Sequence, residues 1–342
     1  MKIVHILPSD KFVPDFIAFM RTHFNGDEHF FLTVGDISLY PYPQQSDSVH
    51  ISSAYRLTFF LIKRIYEADK IILHSTFIRR LMFIFSFQPW ILKKSYWTIW
   101  GGDLYNYVNR KKGIVNFLKH FFDRCANRHI KGIVTYVRGD YELACKTYGV
   151  DYTYYECIGY PSNIYKERQN IKKTGCTINI LVGNSADPSN NHKDAFDKVL
   201  PHIKRDIRIY CPLSYGDMTY AEEVVQLGQD MFGDKFIPIR DFWPREKYMA
   251  FLETIDIALF AHRRQQAMGN TISLLGFGKK VFLYSDMAHG RFFAEKGIKV
   301  YNPSSFMLDL IDSSVAQDNE TKIKNYFSED NLVRQWRALF KD

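Results

Sequence analysis

Ile255-Asp-Ile-Ala-Leu-Phe-Ala-His-Arg-Arg-Gln-Gln-Ala-Met-Gly-Asn-Thr-Ile-Ser-Leu-Leu-Gly-Phe-Gly-Lys-Lys-Val-Phe-Leu-Tyr-Ser285 reads as buried strand, polar and basic loop, small-residue helix start, short helix, glycine turn and second buried strand. A parallel sheet with crossover helices generates that order, and ligands sit at the loops beyond the strand carboxyl ends. Arg263, Arg264, Gln265 and Gln266 crowd the loop, and Gly269-Asn270-Thr271 opens the helix. Free backbone N–H groups at a helix start, with guanidinium groups beside them, make an anion site suited to diphosphate. The competing reading is a solvated turn carrying surface charge.

The alternation extends through the chain. Strands are expected at Lys2–Leu7, His29–Val34, Lys70–His74, Ser95–Trp100 and Gly132–Tyr136. Helical patterns lie near Asp15–His23, Ser52–Glu67, Phe77–Leu92, Val115–Arg128 and Gly139–Tyr148. A second series of strands follows at Thr177–Val182, Ile207–Cys211, Phe236–Ile239, Asp256–Phe260 and Val281–Tyr284. The polar, non-periodic stretch 160–174 between the series reads as a linker. This order predicts an α/β fold of two Rossmann-like, doubly wound domains facing a cleft. They span 1–162 and 176–325, and in 326–342 a helix around Leu332–Leu339 packs back toward the first domain.

With 342 residues, 46% of them hydrophobic, the chain has enough material for two cores. A net charge of +8 points to an anionic partner: nucleic acid, phosphorylated substrate or anionic membrane. The five cysteines are scattered, odd in number and lack metal-ligand spacing, which suggests reduced thiols in the cytoplasm. No apolar run approaches the roughly 20 residues that span a bilayer, and the amino terminus lacks the pattern of a secretory signal. Two segments, Arg56–Arg64 and Phe77–Lys94, nevertheless mix Phe, Trp and Leu with Lys and Arg. That is the composition of a helix resting in a membrane interface, or of a core helix with a basic outer face. Pro89 is expected to end or bend the second of them.

Several strand-end loops carry chemistry. Leu7-Pro-Ser-Asp10 follows the first strand, and Gly101-Gly102 permits a tight turn that presents Asp103. Asp140, in Arg138-Gly-Asp140, reads as a helix cap. In the second half, Gly183 lets backbone approach a ligand closely while Asn184 and Ser185 add donors. That loop and the Arg-Gln-Gln loop can converge on one diphosphate. Neither is a nucleoside triphosphatase loop, because no Gly-Lys-Ser/Thr appears.

Taken together, Trp97-x-Ile-Trp-Gly-x-Asp-Leu-Tyr105, Arg138-Gly-Asp140 with Ala144-x-Lys-Thr147, Ile180-Leu-Val-Gly-Asn-Ser185 with Asp187, Ser189-Asn190 and His192, Arg264-Gln-Gln266 and the Ser9-Asp10 pair resemble one family. It is that of the bacterial 4-acetamido-4,6-dideoxygalactose (Fuc4NAc) transferases of enterobacterial common antigen assembly. The resemblance implies a GT-B glycosyltransferase, with acceptor mainly on the first domain and nucleotide-sugar on the second. It further implies a TDP-linked amino sugar as donor, an undecaprenyl-pyrophosphate-linked saccharide as acceptor, no essential metal and no cofactor. The implied place is the cytoplasmic face of the inner membrane, held peripherally, with no nucleic-acid partner. Where many GT-B enzymes carry Glu-Gly-Phe-Gly and a second Glu, this chain has Gln266-Ala-Met-Gly269 and Leu274, so it departs from that retaining subgroup.

Within this frame Gly183, Asn184, Ser185, Arg263, Arg264, Gln265, Gln266, Gly269 and Asn270 are expected to hold the donor. Ser9, Trp100, Tyr105 and Arg138 fall on the acceptor side. Asp103 is the expected general base, with Asp10 as the runner-up. Two rival readings remain: a GT-B transferase using a UDP- or GDP-sugar for O-antigen or capsule, and a non-enzymatic basic binding protein for nucleic acid or anionic membrane.

Overall fold

A computed structural model describes residues 1–53, 56, 58–108, 114–168 and 175–342, with only the backbone of 114–120. Residues 54, 55 and 57 of the helix expected from Ser52, and 169–174 of the expected linker, lie outside the described residues. The chain forms two compact units, Met1–Ile164 with Glu329–Asp342, and Tyr165–Ser328.

The first unit holds β1 (Lys2–Pro8), β2 (Glu28–Val34), β3 (Ser48–Ile51), β4 (Lys70–His74), β5 (Ser95–Thr98), β6 (Gly132–Val134) and β7 (Thr153–Tyr155). They form one seven-stranded sheet in the order β3-β2-β1-β4-β5-β6-β7, every pair parallel. Helices α1 (Val13–His23), α2 (Phe59–Glu67), α3 (Arg79–Ser86), α4 (Pro89–Leu92), α5 (Gly102–Val108), α6 (Ile114–Asn127) and α7 (Arg138–Tyr148) lie between them. Central strands such as β4, buried at every residue, read as unbroken apolar runs because helices cover both faces of a parallel sheet.

The second unit holds β8 (Ile178–Val182), β9 (Ile207–Pro212), β10 (Phe236–Ile239), β11 (Ile257–Phe260) and β12 (Lys280–Leu283), parallel in the order β10-β9-β8-β11-β12. Its helices are α8 (His192–Val199), α9 (Met218–Phe232), α10 (Arg245–Glu253), α11 (Met268–Gly276), α12 (Ala288–Glu295) and α13 (Ser313–Tyr326). The last helix, α14 (Glu329–Lys341), belongs to the first unit.

The structure corrects the sequence reading in several places. Strands β3 and β7 were not anticipated; both are short and only partly buried. Helix α2 starts at Phe59 rather than Ser52, because Thr58 caps it by accepting from Leu61 N–H at 3.4 Å. The helix expected over Phe77–Leu92 is two pieces, divided where Pro89 removes a backbone donor and starts α4. β5 stops at Thr98, two residues early, as the chain turns through Gly101 at φ 84°. The stretch expected as linker is packed at both described ends: Tyr160 is buried, and Tyr165 donates its hydroxyl to Gly276 O at 2.7 Å.

α14 is amphipathic, and Leu332, Trp336, Leu339 and Phe340 form its buried stripe. Trp336 Nε1 donates to Gly159 O at 2.9 Å, and Lys70 Nζ donates to Leu339 O at 2.7 Å near the carbonyl end of the helix. Trp336→Ala is expected to cost about 3–5 kcal/mol in urea unfolding, as for other fully buried large aromatics. An unchanged midpoint would mean that α14 is not anchored through this side chain.

Candidate functional site

In the second unit the strand order reverses between β8 and β11, which makes the crevice beyond their carboxyl ends the expected ligand position. β8 runs into Gly183 at φ 67°, a left-handed turn that favours glycine. The loop is then built by its own side chains. Asn184 N–H donates to Asn190 Oδ1 (3.1 Å), and Asn190 Nδ2 donates to Ser185 O (3.0 Å) and Asp187 O (3.1 Å). Asp187 accepts from Ser189 N–H at 2.9 Å.

The loop after β11 closes onto this frame. Arg264 Nη2 donates to Asp187 Oδ2 and Arg264 Nε to Ser189 Oγ, both at 2.7 Å. Asn191 Nδ2 adds a bond to Ala261 O at 3.0 Å. Burial pushes the Asp187 carboxyl up, but the hydrogen bonds from Ser189 and the charge of Arg264 outweigh it and hold the group below its ordinary value. The loop that begins at Gly183 and the loop that carries Arg264 are thus joined through Asp187 and Ser189.

Two buried atoms there, Asn184 Oδ1 and Gln266 Nε2, have no hydrogen-bond partner among the described residues. So do His192 Nε2 and both ring nitrogens of His262 and His289. Each unmet group costs about 1–3 kcal/mol, and such groups concentrate here at strand carboxyl ends, where a polar ligand would satisfy them. Ala267, just before α11, is held at φ 58°, a strained conformation for a residue with a Cβ and one that accompanies functional sites.

The remaining expected donor residues divide. Ser185 is buried, Gln265 is half-buried, and Gly269 is exposed with open space beside it, leaving the first turn of α11 accessible. Asn270 Nδ2 donates to Tyr248 Oη at 3.0 Å. Arg263 has different partners from Arg264: its guanidinium lies 3.5 Å over the Tyr284 ring and 3.7 Å from Asp286.

In the first unit the order reverses between β1 and β4, flanked by the Ser9-Asp10 loop and by Ser75 at φ 74°. Ser9 N–H donates to Val34 O at 2.9 Å, and half-buried Asp10 accepts from Lys11 N–H at 2.6 Å. Asp103 is buried and saturated. It accepts from Trp97 Nε1 (2.7 Å), from Trp100 N–H and Leu104 N–H (both 3.1 Å) and from Thr76 N–H (3.3 Å). Burial raises its pKa against the pull of those donors.

Asp140, which the sequence offered as a cap, is buried in the first turn of α7 and accepts from Tyr105 Oη at 2.9 Å. Burial pushes its carboxyl up to about 7 despite that bond, and the Asp103 charge adds to the rise. Arg138 is exposed and pairs with Glu142 at 3.6 Å. A cavity of about 30 Å³ touches Asp103, Thr76, Asn106 and Asn127; it has room for water, not for a sugar ring.

Three buried histidines form a row that the sequence reading missed. β1 pairs His5 with Phe31 of β2 and with Ile72 of β4, so His29 and His74, each two residues away, share a face with His5. The contacts are His29 Nδ1 to His5 Nε2 (3.0 Å), His5 Nδ1 to His74 Nε2 (3.1 Å) and His74 Nδ1 to Tyr160 Oη (2.6 Å). Trp100 Nε1 donates to the same hydroxyl at 2.6 Å. Tyr160 therefore gives its own proton to His74, and each ring carries hydrogen on Nε2 down the row. The row supports Trp100 from below, whose ring also meets Phe12 edge-on at 4.7 Å.

The chain belongs to the 4-alpha-L-fucosyltransferase family, glycosyl transferase group 56, whose model matches residues 21–341. This agrees with the family suggested by the sequence blocks. Among solved structures, it is similar to Alr3699/HepE from Anabaena in complex with UDP, with a TM-score of 0.66, 10% identity and 100% of each chain covered. A glycosyltransferase from Rickettsia africae ESF-5 matches with a TM-score of 0.65 and 13% identity over 99% of this chain and 97% of that one. WaaG, a glycosyltransferase involved in lipopolysaccharide biosynthesis, matches with a TM-score of 0.58 and 12% identity over 98% of both chains. The fold is GT-B, and the protein is a glycosyltransferase.

Burial lowers His29, His192 and His289 from 6.5 to about 4 and His74 to about 3; it also lowers His5 and His262. The unfolded chain binds these protons first, so their contribution to stability is complete above pH 6.5 and is lost as the pH falls from there toward 4. The urea midpoint is expected to drop by on the order of several kcal/mol of stability between pH 7 and 5. A flat profile would mean that the rings are charged inside the fold.

Proposed function

We propose that this glycosyltransferase moves a deoxy-amino sugar of the Fuc4NAc type from a TDP-sugar to an undecaprenyl-pyrophosphate-linked saccharide. The observation that carries donor binding is the joined pair of loops at the β8–β11 crevice, with Arg264 fixed by Asp187 and Ser189 beside unmet polar atoms of Asn184 and Gln266. Charge develops on phosphate oxygens as the glycosidic bond breaks, and Arg264 with the open start of α11 would stabilise it without a metal or cofactor. Gly183, Ser185, Gln265, Gly269 and Asn270 line the same loops, and Arg263 stands on the neighbouring face.

For the acceptor hydroxyl, the geometry favours Asp10 over Asp103 as general base. Asp103 already accepts four N–H bonds and organises its loop, whereas Asp10 stands at the β1–β4 switch point, with one described hydrogen bond to its carboxylate. Ser9 and Trp100 are beside it in the acceptor reading, with Tyr105 and Arg138 further along the strand ends.

The lipid end of the acceptor suits a second surface. Phe59, Phe60 and Ile62 of α2, Phe83 of α3, Phe87 just after it and Trp90 of α4 are exposed among Lys63, Arg79 and Lys93. Tyr66 Oη donates to Gln88 Oε1 at 2.9 Å, which joins α2 to the start of α4 in one face. Aromatic rings interleaved with cations fit the cytoplasmic interface of an anionic inner membrane, and no described helix is long and apolar enough to cross one. UDP, seen on the Anabaena relative, is the second donor reading.

Transfer assays with a lipid-pyrophosphate saccharide and TDP-, UDP- or GDP-sugars, read by mass spectrometry, test the proposal; product from a TDP-amino sugar is expected, and none from any donor would end it. Asp10→Asn is expected to cut turnover about 10²-fold or more with nucleotide affinity intact, whereas Asp103→Asn should chiefly lower stability. The reverse pattern would restore Asp103 as the base. Vesicles containing phosphatidylglycerol should retain the wild type and release a Phe59→Ser, Phe87→Ser, Trp90→Ser variant; equal retention would remove this face from the membrane.

A further inference from the structure

His192 opens α8, directly after the loop that starts at Gly183, and its ring is fully buried. Its described hydrogen-bond partner is Tyr220. Tyr220 Oη lies 3.1 Å from the ring Nδ1. A phenol hydroxyl that donates to Nδ1 leaves the ring hydrogen on Nε2.

That Nε2–H has no partner among the described residues. It stands over Gly183, where a Cβ would come within 2.6 Å of it. Gly183 is therefore glycine for two reasons, its left-handed φ and the space that the imidazole takes. The next residue, Asn184, leaves Oδ1 unmet in the same turn, and Arg264 holds the far side of that loop through Asp187. An unsatisfied donor at the first residue of a helix, beside a turn with room for backbone approach, matches the needs of an oxyanion.

We propose that His192 Nε2–H is a direct donor to the diphosphate of the nucleotide-sugar, a contact that rests on the donor site proposed above. The ring brings no permanent charge; its contribution is a directed N–H whose orientation Tyr220 fixes before the ligand arrives. The apo protein tolerates an unmet buried donor, and the bound state satisfies it.

Isosteres separate the two ring nitrogens. Asparagine places its amide where Nδ1 lies and keeps the Tyr220 contact, while glutamine reaches the position of Nε2. With the full chain and UDP and TDP as calorimetric probes, His192→Asn is expected to lose about 10-fold or more in affinity, as for a hydrogen bond to a charged group, with a melting temperature at or above the wild type. His192→Gln should stay within about threefold of the wild type. Equal affinity of wild type and His192→Asn would overturn the contact, as would a fall in melting temperature matched by equal affinity losses in both variants. If the wild type binds none of UDP, TDP or GDP, the donor-site reading itself fails. In the wild type, the histidine Nε2–H resonance should move on adding the tighter nucleotide; an unmoved signal from a nucleotide-saturated sample would also overturn the contact.

Discussion

The guanidinium of Arg264 spans two loops that stand 77 positions apart in the chain, and the arrangement of the loops beyond β8 and β11 depends on that bridge. As an ion pair between half-exposed groups it adds about 0–1 kcal/mol to stability, so its importance is geometric. Nε and one Nη are committed to Ser189 and Asp187, which fixes the plane of the group and leaves its remaining N–H groups along a set direction. A lysine would supply the charge but not the plane. Because Asp187 is held ionised by the same contact, the two charges offset each other at this point, and the proposed diphosphate would meet oriented donors rather than a bare excess of charge.

That arrangement qualifies what the net charge of +8 says. Much of the positive charge lies elsewhere: on α2, on the segment around α3 and α4, and on Arg263, which stacks on Tyr284. Neighbouring arginines in one sequence motif thus have different surroundings. Both lie in the bend beyond β11, and the doublet offered by the sequence resolves into one cation bonded to Asp187 and Ser189 and one that meets Asp286 and an aromatic face.

The fold was legible because parallel strands buried on both faces announce themselves as apolar runs, as Ile71–Leu73 and Ile257–Phe260 do. Ser48–Ile51 and Thr153–Tyr155 were not, since short edge strands expose residues and lose that signal. Among site residues, the Gly183 turn and the Arg264 loop could be read locally, because each is a contiguous strand–loop–helix. The histidine row could not. Its members are separated by 24 and 69 positions and meet only because strand register sets them two residues apart across three strands. Asp140 was misread for a related reason: a carboxylate in the first turn of a helix looks like a cap until burial and the Tyr105 hydroxyl are known.

The two carboxylates of the first unit show how environment assigns different roles to the same side chain. Asp103 and Asp140 are both buried at the starts of helices, and the charge of Asp103 raises the cost of charging Asp140. Asp103 is given donors from Trp97, Thr76, Trp100 and Leu104, enough to keep a carboxylate solvated by protein. The Asp140 carboxylate has Tyr105 as its described partner, and burial pushes it up to about 7. Asp103 therefore shapes the loop that carries Trp100, and the row of neutral histidines below holds Trp100 through Tyr160. With Asp103 committed to its own loop, the base proposed above is the less encumbered carboxylate at the β1–β4 switch point.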